Sequence, residues 1–226
     1  MYGNGALFLL KKIMKNKICY IVCAGENKGI FINANPCNYV IAADGGLNYL
    51  KELNIFPNLI VGDFDSANQP NCECEIIKLK VDKCETDTFV CVEEGIKRGY
   101  RDFYIYCGTG GRIDHTIANL QTLIYLSKKD YRGYLFDGDQ VITVISNNST
   151  LEFSAEALGG VSVFALNGDA HGITISGLKY TLNNSILTAD FPLGVSNSFV
   201  GKDSKIECGE GFLAIVFPSN AIKYLK

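Results

Sequence analysis

The stretch Leu59-Ile60-Val61-Gly62-Asp63-Phe64-Asp65-Ser66 constrains this chain more than any other. An unbroken apolar run that stops at Gly reads as a strand buried on both faces, the kind found in parallel sheets covered by helices. In open α/β sheets, ligands sit just beyond the carboxyl ends of the strands. Asp63 and Asp65 fall at that end, and in extended backbone residues i and i+2 point to the same side. Two converging carboxylates are unfavourable unless a cation or a proton relieves them. A hard divalent ion such as Mg²⁺, carrying a phosphorylated ligand, meets that need. The competing reading is a solvated turn in which Asp65 or Ser66 caps a short helix.

The rest of the N-terminal half repeats this layout. Ile18–Cys23 is an apolar run closed by Ala24-Gly25, a first strand and a phosphate-sized loop. Tyr39–Ala43 is a second run, ending in Asp44-Gly45-Gly46 before helical spacing over Leu47–Leu53. Strand, glycine turn, helix is the order in which backbone N–H groups face an anion, although Asp-Gly-Gly is also a common plain turn. Ile76–Val81 is a further strand candidate, and a helix is expected from about Thr88 to Arg98 with Gly99 as its stop. Thr86 can cap that helix and Asp87 suits its positive end, roles that leave ligand contact open. Gly95 inside it costs about 1 kcal/mol against Ala, which points to close packing or a frayed end.

Phe103–Cys107 is the next strand, followed by Gly108-Thr109-Gly110-Gly111-Arg112-Ile113-Asp114-His115 and a helix over Thr116–Leu126. Glycines before a helix let backbone approach a phosphate, and Arg112 can fork onto it. Asp114 and His115 can alternatively be caps. From Gln140 onward the helical period is lost. Short strand-like runs appear at Val141–Ile145, Leu151–Phe153, Val161–Leu166, Ile173–Leu178, Ser185–Thr188, Ser198–Val200, Lys205–Cys208 and Phe212–Phe217, separated by turn residues. That texture reads as an all-β sandwich or jelly roll. The expected fold is therefore α/β plus all-β: a Rossmann-like parallel-sheet nucleotide-binding domain over residues 14–138, then a β-sandwich domain over 139–226, with the boundary near Asp137-Gly138-Asp139.

Composition narrows the function. The net charge of −3 and the lack of a basic run argue against nucleic-acid binding. Nine Cys, an odd number, argue against a disulfide framework, and their spacings, with His115 and His171, do not match zinc sites. Cys19, Cys23 and Cys107 lie in apolar runs and read as reduced, buried small hydrophobes, in keeping with the cytoplasm. Ala6–Leu10 is too short to span a membrane, and its basic residues follow it, so it makes a poor leader. Met14 is expected to be the true start, with residues 1–13 a loose extension.

Taken together, the motifs resemble the thiamine pyrophosphokinase family. The resemblance rests on Ala43-Asp44-Gly45-Gly46, Gly62-Asp63-Phe64-Asp65-Ser66, Lys83-x-x-Thr86-Asp87, Gly111-Arg112-x-Asp114-His115-x₃-Asn119, Gly177-Leu178-Lys179-Tyr180 and Gly194-Val195-Ser196-Asn197, in the family's order. It implies transfer of a pyrophosphoryl group from ATP to the hydroxyl of thiamine, giving thiamine diphosphate and AMP. It implies that Asp63, Asp65 and Asp87 hold Mg²⁺, and that Lys83 and Arg112 meet phosphate oxygens. Asp44, Gly45, Gly46, Thr86, Asp114, His115 and Asn119 would shape the ATP pocket. Ser196 and Asn197 match the thiamine-side motif, and otherwise read as a hairpin turn. The family works as a homodimer, with thiamine between the α/β half of one subunit and the β half of the other.

Two departures stand out. Cys84 occupies a position where many relatives carry Asp, and a thiol does not replace a hard oxygen ligand for Mg²⁺. The chain also has no Trp, leaving Tyr180, Phe191 or Phe199 to stack on the aminopyrimidine. Two rival readings remain. In a haloacid-dehalogenase-like phosphatase, Asp63 would be the nucleophile and form an aspartyl-phosphate. In a non-catalytic nucleotide or thiamine sensor, the same acids would bind without turnover.

Overall fold

Apolar runs with Gly at their ends become the strands of a parallel sheet. The computed structural model describes residues 17–33, 35–63, 74–79 and 85–226. Among these, β1 (Ile18–Val22), β2 (Tyr39–Ala43), α1 (Gly46–Glu52), β3 (Leu59–Gly62), β4 (Glu75–Lys78), α2 (Asp87–Lys97), β5 (Asp102–Tyr106) and α3 (Ile113–Lys128) follow one another. The strands lie in the order β4-β3-β2-β1-β5, and every neighbouring pair is parallel. Ile21, Ile41, Leu59, Ile60 and Val61 are fully buried, as an unbroken apolar run requires.

Close packing explains several residues. Gly95 stands in α2 because a Cβ there would lie 2.5 Å from the Phe103 ring and 2.9 Å from Cys19 Sγ. The close-packing reading of Gly95 is thus correct. Thr86 caps α2, its side chain accepting from Phe89 N–H at 3.3 Å. At the other end of α2, Arg98 reaches Glu75 with both Nη2 contacts, 2.9 and 2.8 Å, and also pairs with Glu94. Those pairs tie the edge strand β4 to the helix. Cys19, Cys23, Cys91, Cys107 and Cys208 are free and buried, and Cys37 is free and half-buried; Cys74 is disulfide-bonded.

The chain divides into two compact units between Thr122 and Leu123. The second unit is antiparallel. It comprises β6 (Arg132–Asp137), β7 (Gln140–Ser146), β8 (Ser149–Phe153), β9 (Gly160–Ser176), β10 (Leu182–Leu187), β11 (Asn197–Ser198), β12 (Ser204–Cys208) and β13 (Glu210–Pro218), closed by a 3-10 turn at Ser219–Tyr224. Strand order runs β6-β7-β13-β9-β12-β8, with β10 and β11 also on β9. Asp137-Gly138-Asp139 forms the turn of the β6–β7 hairpin, Gly138 adopting φ 65°.

One expectation about strands changes. Val161–Leu166 and Ile173–Leu178 read as separate strands, but both belong to the 17-residue β9. Its first part pairs with β13 and its last part with β12. Asn167 at φ 57°, Gly168 at 119° and Gly172 at 65° let the strand change partners without ending. The turn-forming residues that looked like a loop are therefore a bend.

Gly46 fixes how closely α1 sits behind the strands. A Cβ there would fall 2.0 Å from the Val22 carbonyl oxygen, so the backbone must move. Gly46→Ala is expected to destabilise the chain by about 2–3 kcal/mol. Urea unfolding followed by circular dichroism measures this, and an unchanged midpoint would count against the packing described.

Candidate active site

The carboxyl ends of β1 and β5 are laced together by main-chain bonds beyond the sheet. Cys23 N–H donates to Tyr106 O at 2.9 Å, Gly25 N–H to Cys107 O at 2.8 Å, and Glu26 N–H to Thr109 O at 3.0 Å. Gly25 is obligatory here, because a Cβ would lie 2.4 Å from Cys107 O and 2.5 Å from Thr109 O. Asp44 N–H donates to Val61 O at 2.7 Å, which joins the ends of β2 and β3. Asp44 and Cys107 hold left-handed backbone at φ 47° and 54°, uncommon for residues with a Cβ. Strain of this kind gathers at ligand sites.

These loops enclose a cavity of about 550 Å³. Its wall includes Asp44, Asp87, Arg112, His115 and Asn119 from the expected nucleotide set, together with Gly110 and Gly111. Asn119 is buried and donates from Nδ2 to Gly108 O at 2.7 Å. It therefore holds the glycine loop in shape, a positioning role beside its place in the wall. Arg112 and Asp114 are both exposed and form a two-bond pair, 3.1 Å from Nε to Oδ1 and 2.6 Å from Nη2 to Oδ2. The Arg112 hydrogen bonds hold the Asp114 carboxyl below its ordinary range. Asp114 also accepts from His115 N–H at 3.0 Å. Asp114 therefore lies in the first turn of α3, beside Arg112, and is not the residue that caps it. The helix begins at Ile113, three residues before the expected start at Thr116.

Thr88 and Cys23 join α2 to β1, Oγ1 to Sγ at 3.2 Å. Burial pushes the Cys23 thiol up to about 12 and the Cys107 thiol up to about 11. Both residues belong to the cavity wall, and their thiols stay neutral. Asp63 follows β3, half-buried, next to Gly62, whose Cβ position is 3.3 Å from Asp44 Cα. Asp65 and Lys83, and with them Cys84, lie outside the described residues. Among the described residues, no three His, Cys, Asp or Glu side chains are grouped to hold a metal ion.

The thiamine-side residues belong to the second unit. Asn197 is buried, and its amide is spent on backbone: Oδ1 accepts from Tyr180 N–H and Ser198 N–H, each at 2.9 Å, and Nδ2 donates to Tyr180 O at 2.7 Å. It positions Tyr180, whose own side chain is 58% exposed. Ser196 sits at φ 60° with its N–H donating to Ser162 Oγ at 3.2 Å. Phe199 is packed edge-on against Phe153, ring centres 5.0 Å apart, so it is core and offers no stacking face; Tyr180 and Phe191 remain exposed. Glu26, in the cavity wall beside Gly110, was missed by the sequence reading. A lone acid after Ala-Gly carries no signal of its own.

The geometry defines a class: an α/β protein whose ligand cavity opens at the carboxyl ends of parallel strands. Comparison with known proteins narrows it. Residues 33–135 match the thiamin pyrophosphokinase catalytic domain, and residues 148–213 match the thiamin pyrophosphokinase vitamin B1 binding domain. The chain belongs to the thiamin pyrophosphokinase family. It is 25% identical over 182 residues to thiamine pyrophosphokinase of Bacillus subtilis, covering 78% of this chain and 85% of that protein. It is 24% identical over 179 residues to thiamin pyrophosphokinase 1 of Caenorhabditis elegans, 72% of each. The crystal structure of the B. subtilis protein has the same fold, a parallel N-terminal sheet and an antiparallel C-terminal one, at a TM-score of 0.79 and 23% identity over 90% of this chain and all (100%) of that one. Yeast thiamin pyrophosphokinase also shares it, with a TM-score of 0.73 and 17% identity over 92% and 90% of the two chains. The phosphatase and sensor readings gain no support.

The raised thiols generate a test. At pH 8 iodoacetamide should label half-buried Cys37 in the native chain and leave Cys23 and Cys107 unmodified, since neither thiolate forms near neutral pH. Mass spectrometry after a brief pulse reads the pattern. Fast labelling of Cys23 would show that its thiol is not held neutral in the wall.

Proposed function

We propose that this chain transfers the pyrophosphoryl group of ATP to the hydroxyl of thiamine, yielding thiamine diphosphate and AMP. The observation that carries this is the match of both halves of the chain, catalytic and vitamin B1 binding, to one enzyme family. The strand-end cavity with Asp87 and Arg112 in its wall supports it. In the reaction, the thiamine hydroxyl oxygen bonds to the β-phosphorus of ATP. The bond from that phosphorus to the oxygen bridging the α-phosphorus breaks. AMP leaves with that oxygen, and the hydroxyl proton passes to solvent.

Transfer of this kind depends on positioning and on neutralising phosphate charge more than on covalent chemistry by the protein. Arg112 is suited to a phosphate because its present partner is an exposed one. An exposed ion pair contributes little, so exchanging Asp114 for phosphate, or sharing the guanidinium between them, costs little. The glycines at 108, 110 and 111 leave backbone N–H groups open to close approach. Lys83 would add a second cation. Asp44 lines the β2 end of the pocket, while Gly45 and Gly46 follow it at the start of α1 and lie outside the wall, and Thr86 fixes the start of α2, where Asp87 lines the cavity.

Mg²⁺ is the metal the reading implies, and the donor types fit it. Asp44 and Asp87 in the wall, and Asp63 at the end of β3, offer hard carboxylate oxygens, while the thiols of the wall are held neutral. Asp63, Asp65 and Asp87 would hold the ion, which when bound would neutralise charge on the triphosphate.

We infer further that residues 14–138 are the Rossmann-like nucleotide half and residues 139–226 the sandwich or jelly-roll thiamine half. Ser196, Asn197 and Tyr180 serve thiamine, Asn197 through the Tyr180 backbone. A homodimer would bring the thiamine half of one subunit to the nucleotide half of the other. Exposed Leu158, Phe191, Leu193 and Val195 support a covered surface on the second unit. Among the described residues six cysteines are free, which accords with a cytoplasmic setting, and Cys74 is disulfide-bonded. Among the described residues no helix is long and apolar enough to cross a membrane.

Purified chain given thiamine, ATP and Mg²⁺ should form AMP and thiamine diphosphate in equal amounts. Asp87→Asn should lower turnover by about 100-fold or more while leaving the circular dichroism spectrum unchanged. Release of free phosphate without consumption of thiamine would favour the phosphatase, and near-normal turnover of Asp87→Asn would remove that acid from the site.

A further inference from the structure

Tyr49 Oη, from α1, donates to Gly25 O at 2.9 Å, and Glu26 N–H donates to Thr109 O at 3.0 Å. That carbonyl and that N–H belong to one peptide unit, so the Gly25–Glu26 peptide is held from both sides. The side chain it carries lies against the glycine loop. A Cβ at Gly110 would fall 2.5 Å from Glu26 Cβ and 2.8 Å from Glu26 Oε2, so only glycine at 110 leaves room for it. Glu26 stands in the wall of the strand-end cavity and at its rim, with its side chain 61% exposed. Its ion pair with Lys28 is long, 3.6 Å, and exposed, and such a pair contributes little.

Strand order sets Glu26 apart from the acids that would hold the ion. The sheet runs β3-β2-β1-β5. Asp44 leaves β2 and its N–H bonds toward β3, at Val61 O. Asp63 follows β3 itself. Glu26 leaves β1 in the opposite direction, bonded to the loop after β5. Strands in a sheet lie about 4.8 Å apart, so the ends of β2 and β5 are separated by about 10 Å. The cavity thus has acids on its β3 side, and a separate carboxylate on its β5 side.

A carboxylate offers acceptors only. Triphosphate oxygens are acceptors too and carry the same charge, so Glu26 repels them. What it can take from a nucleotide is a donor. A ribose presents two hydroxyls side by side, matched to the two oxygens of one carboxylate. Acids beyond the strands of nucleotide-binding α/β sheets bind ribose hydroxyls in this way. The glycine loop and Arg112 beside Glu26 suit the phosphate nearest the sugar, and the sugar then falls one group further out, at the rim.

We propose, on the reading that the cavity holds ATP, that Glu26 accepts the 2′- and 3′-hydroxyls of its ribose. The carboxylate thereby sets the direction of the nucleotide, sugar toward β5 and transferred phosphates toward β3. Calorimetric titration of the full chain with ATP and with 2′,3′-dideoxy-ATP, in Mg²⁺ and without thiamine, tests this. The native chain should bind ATP about 10-fold tighter, or more, than the dideoxy nucleotide. Glu26→Ala should reduce that preference to about 2-fold or less, with dideoxy-ATP bound no more weakly than by the native chain. Glu26→Gln, which keeps the size of the side chain and removes its charge, should reduce it to about 3-fold. Equal weakening of both nucleotides would make Glu26 a support for the loop alone and overturn the proposal. So would a native chain without the preference, or a preference that both variants retain. A native chain that binds no ATP would overturn the pyrophosphokinase reading, and this assignment with it.

Discussion

The hydrogen bond from Gly25 N–H to the Cys107 carbonyl, 2.8 Å long, is the contact on which the site depends. It lies beyond the last residues of β1 and β5, where a parallel sheet would ordinarily splay into separate loops. Because residue 25 has no side chain, the two loops can approach until backbone meets backbone. Cys23, Glu26 and Thr109 extend the same lacing on either side. The cavity is what remains in front of this seam, floored by strand ends and walled by the starts of two helices. Its shape is thus set by main-chain geometry, and its chemistry by the few side chains that project from that frame.

Each of those side chains is held by a distinct local cause. Asp87 faces the cavity because Thr86 fixes the first turn of α2. Asn119 is buried to satisfy Gly108 O, and so determines the path of the glycine loop. Arg112 is held only by an exposed carboxylate. The fixed groups therefore shape the pocket, and the loosely held guanidinium is the one able to follow a changing phosphate. That division suits the proposed reaction, in which negative charge builds on the oxygen between the α- and β-phosphorus as AMP leaves, while the nucleoside stays in place.

Much of this was legible in the residues. The ends of β1, β2, β3 and β5 could be read from apolar runs stopping at Gly or Asp, because burial on both faces leaves such runs no other setting. Gly95 announced a close contact, and Thr86 its cap. Other features were hidden for physical reasons. The bend in β9 uses Asn167, Gly168 and Gly172, the same residues that would end a strand, and only pairing with β13 and then β12 separates the two cases. The bonds from the Asn197 amide to the Tyr180 backbone join residues 17 apart, and spacing cannot reveal them. Phe199 resembled a stacking surface until Phe153 covered it. Asp65 lies outside the described residues, so the pairing of the acids at 63 and 65 rests on the order of the motifs in the sequence.

The central claim is that the seam between the ends of β1 and β5 cradles a triphosphate. A crystal structure of the chain with thiamine, Mg²⁺ and a nonhydrolysable ATP analogue tests it most directly. The account predicts phosphate oxygens within about 3 Å of Gly110 or Gly111 N–H and of the Arg112 guanidinium, with the ion on the aspartates. A triphosphate bound elsewhere, with the strand-end cavity filled only by water, would contradict it.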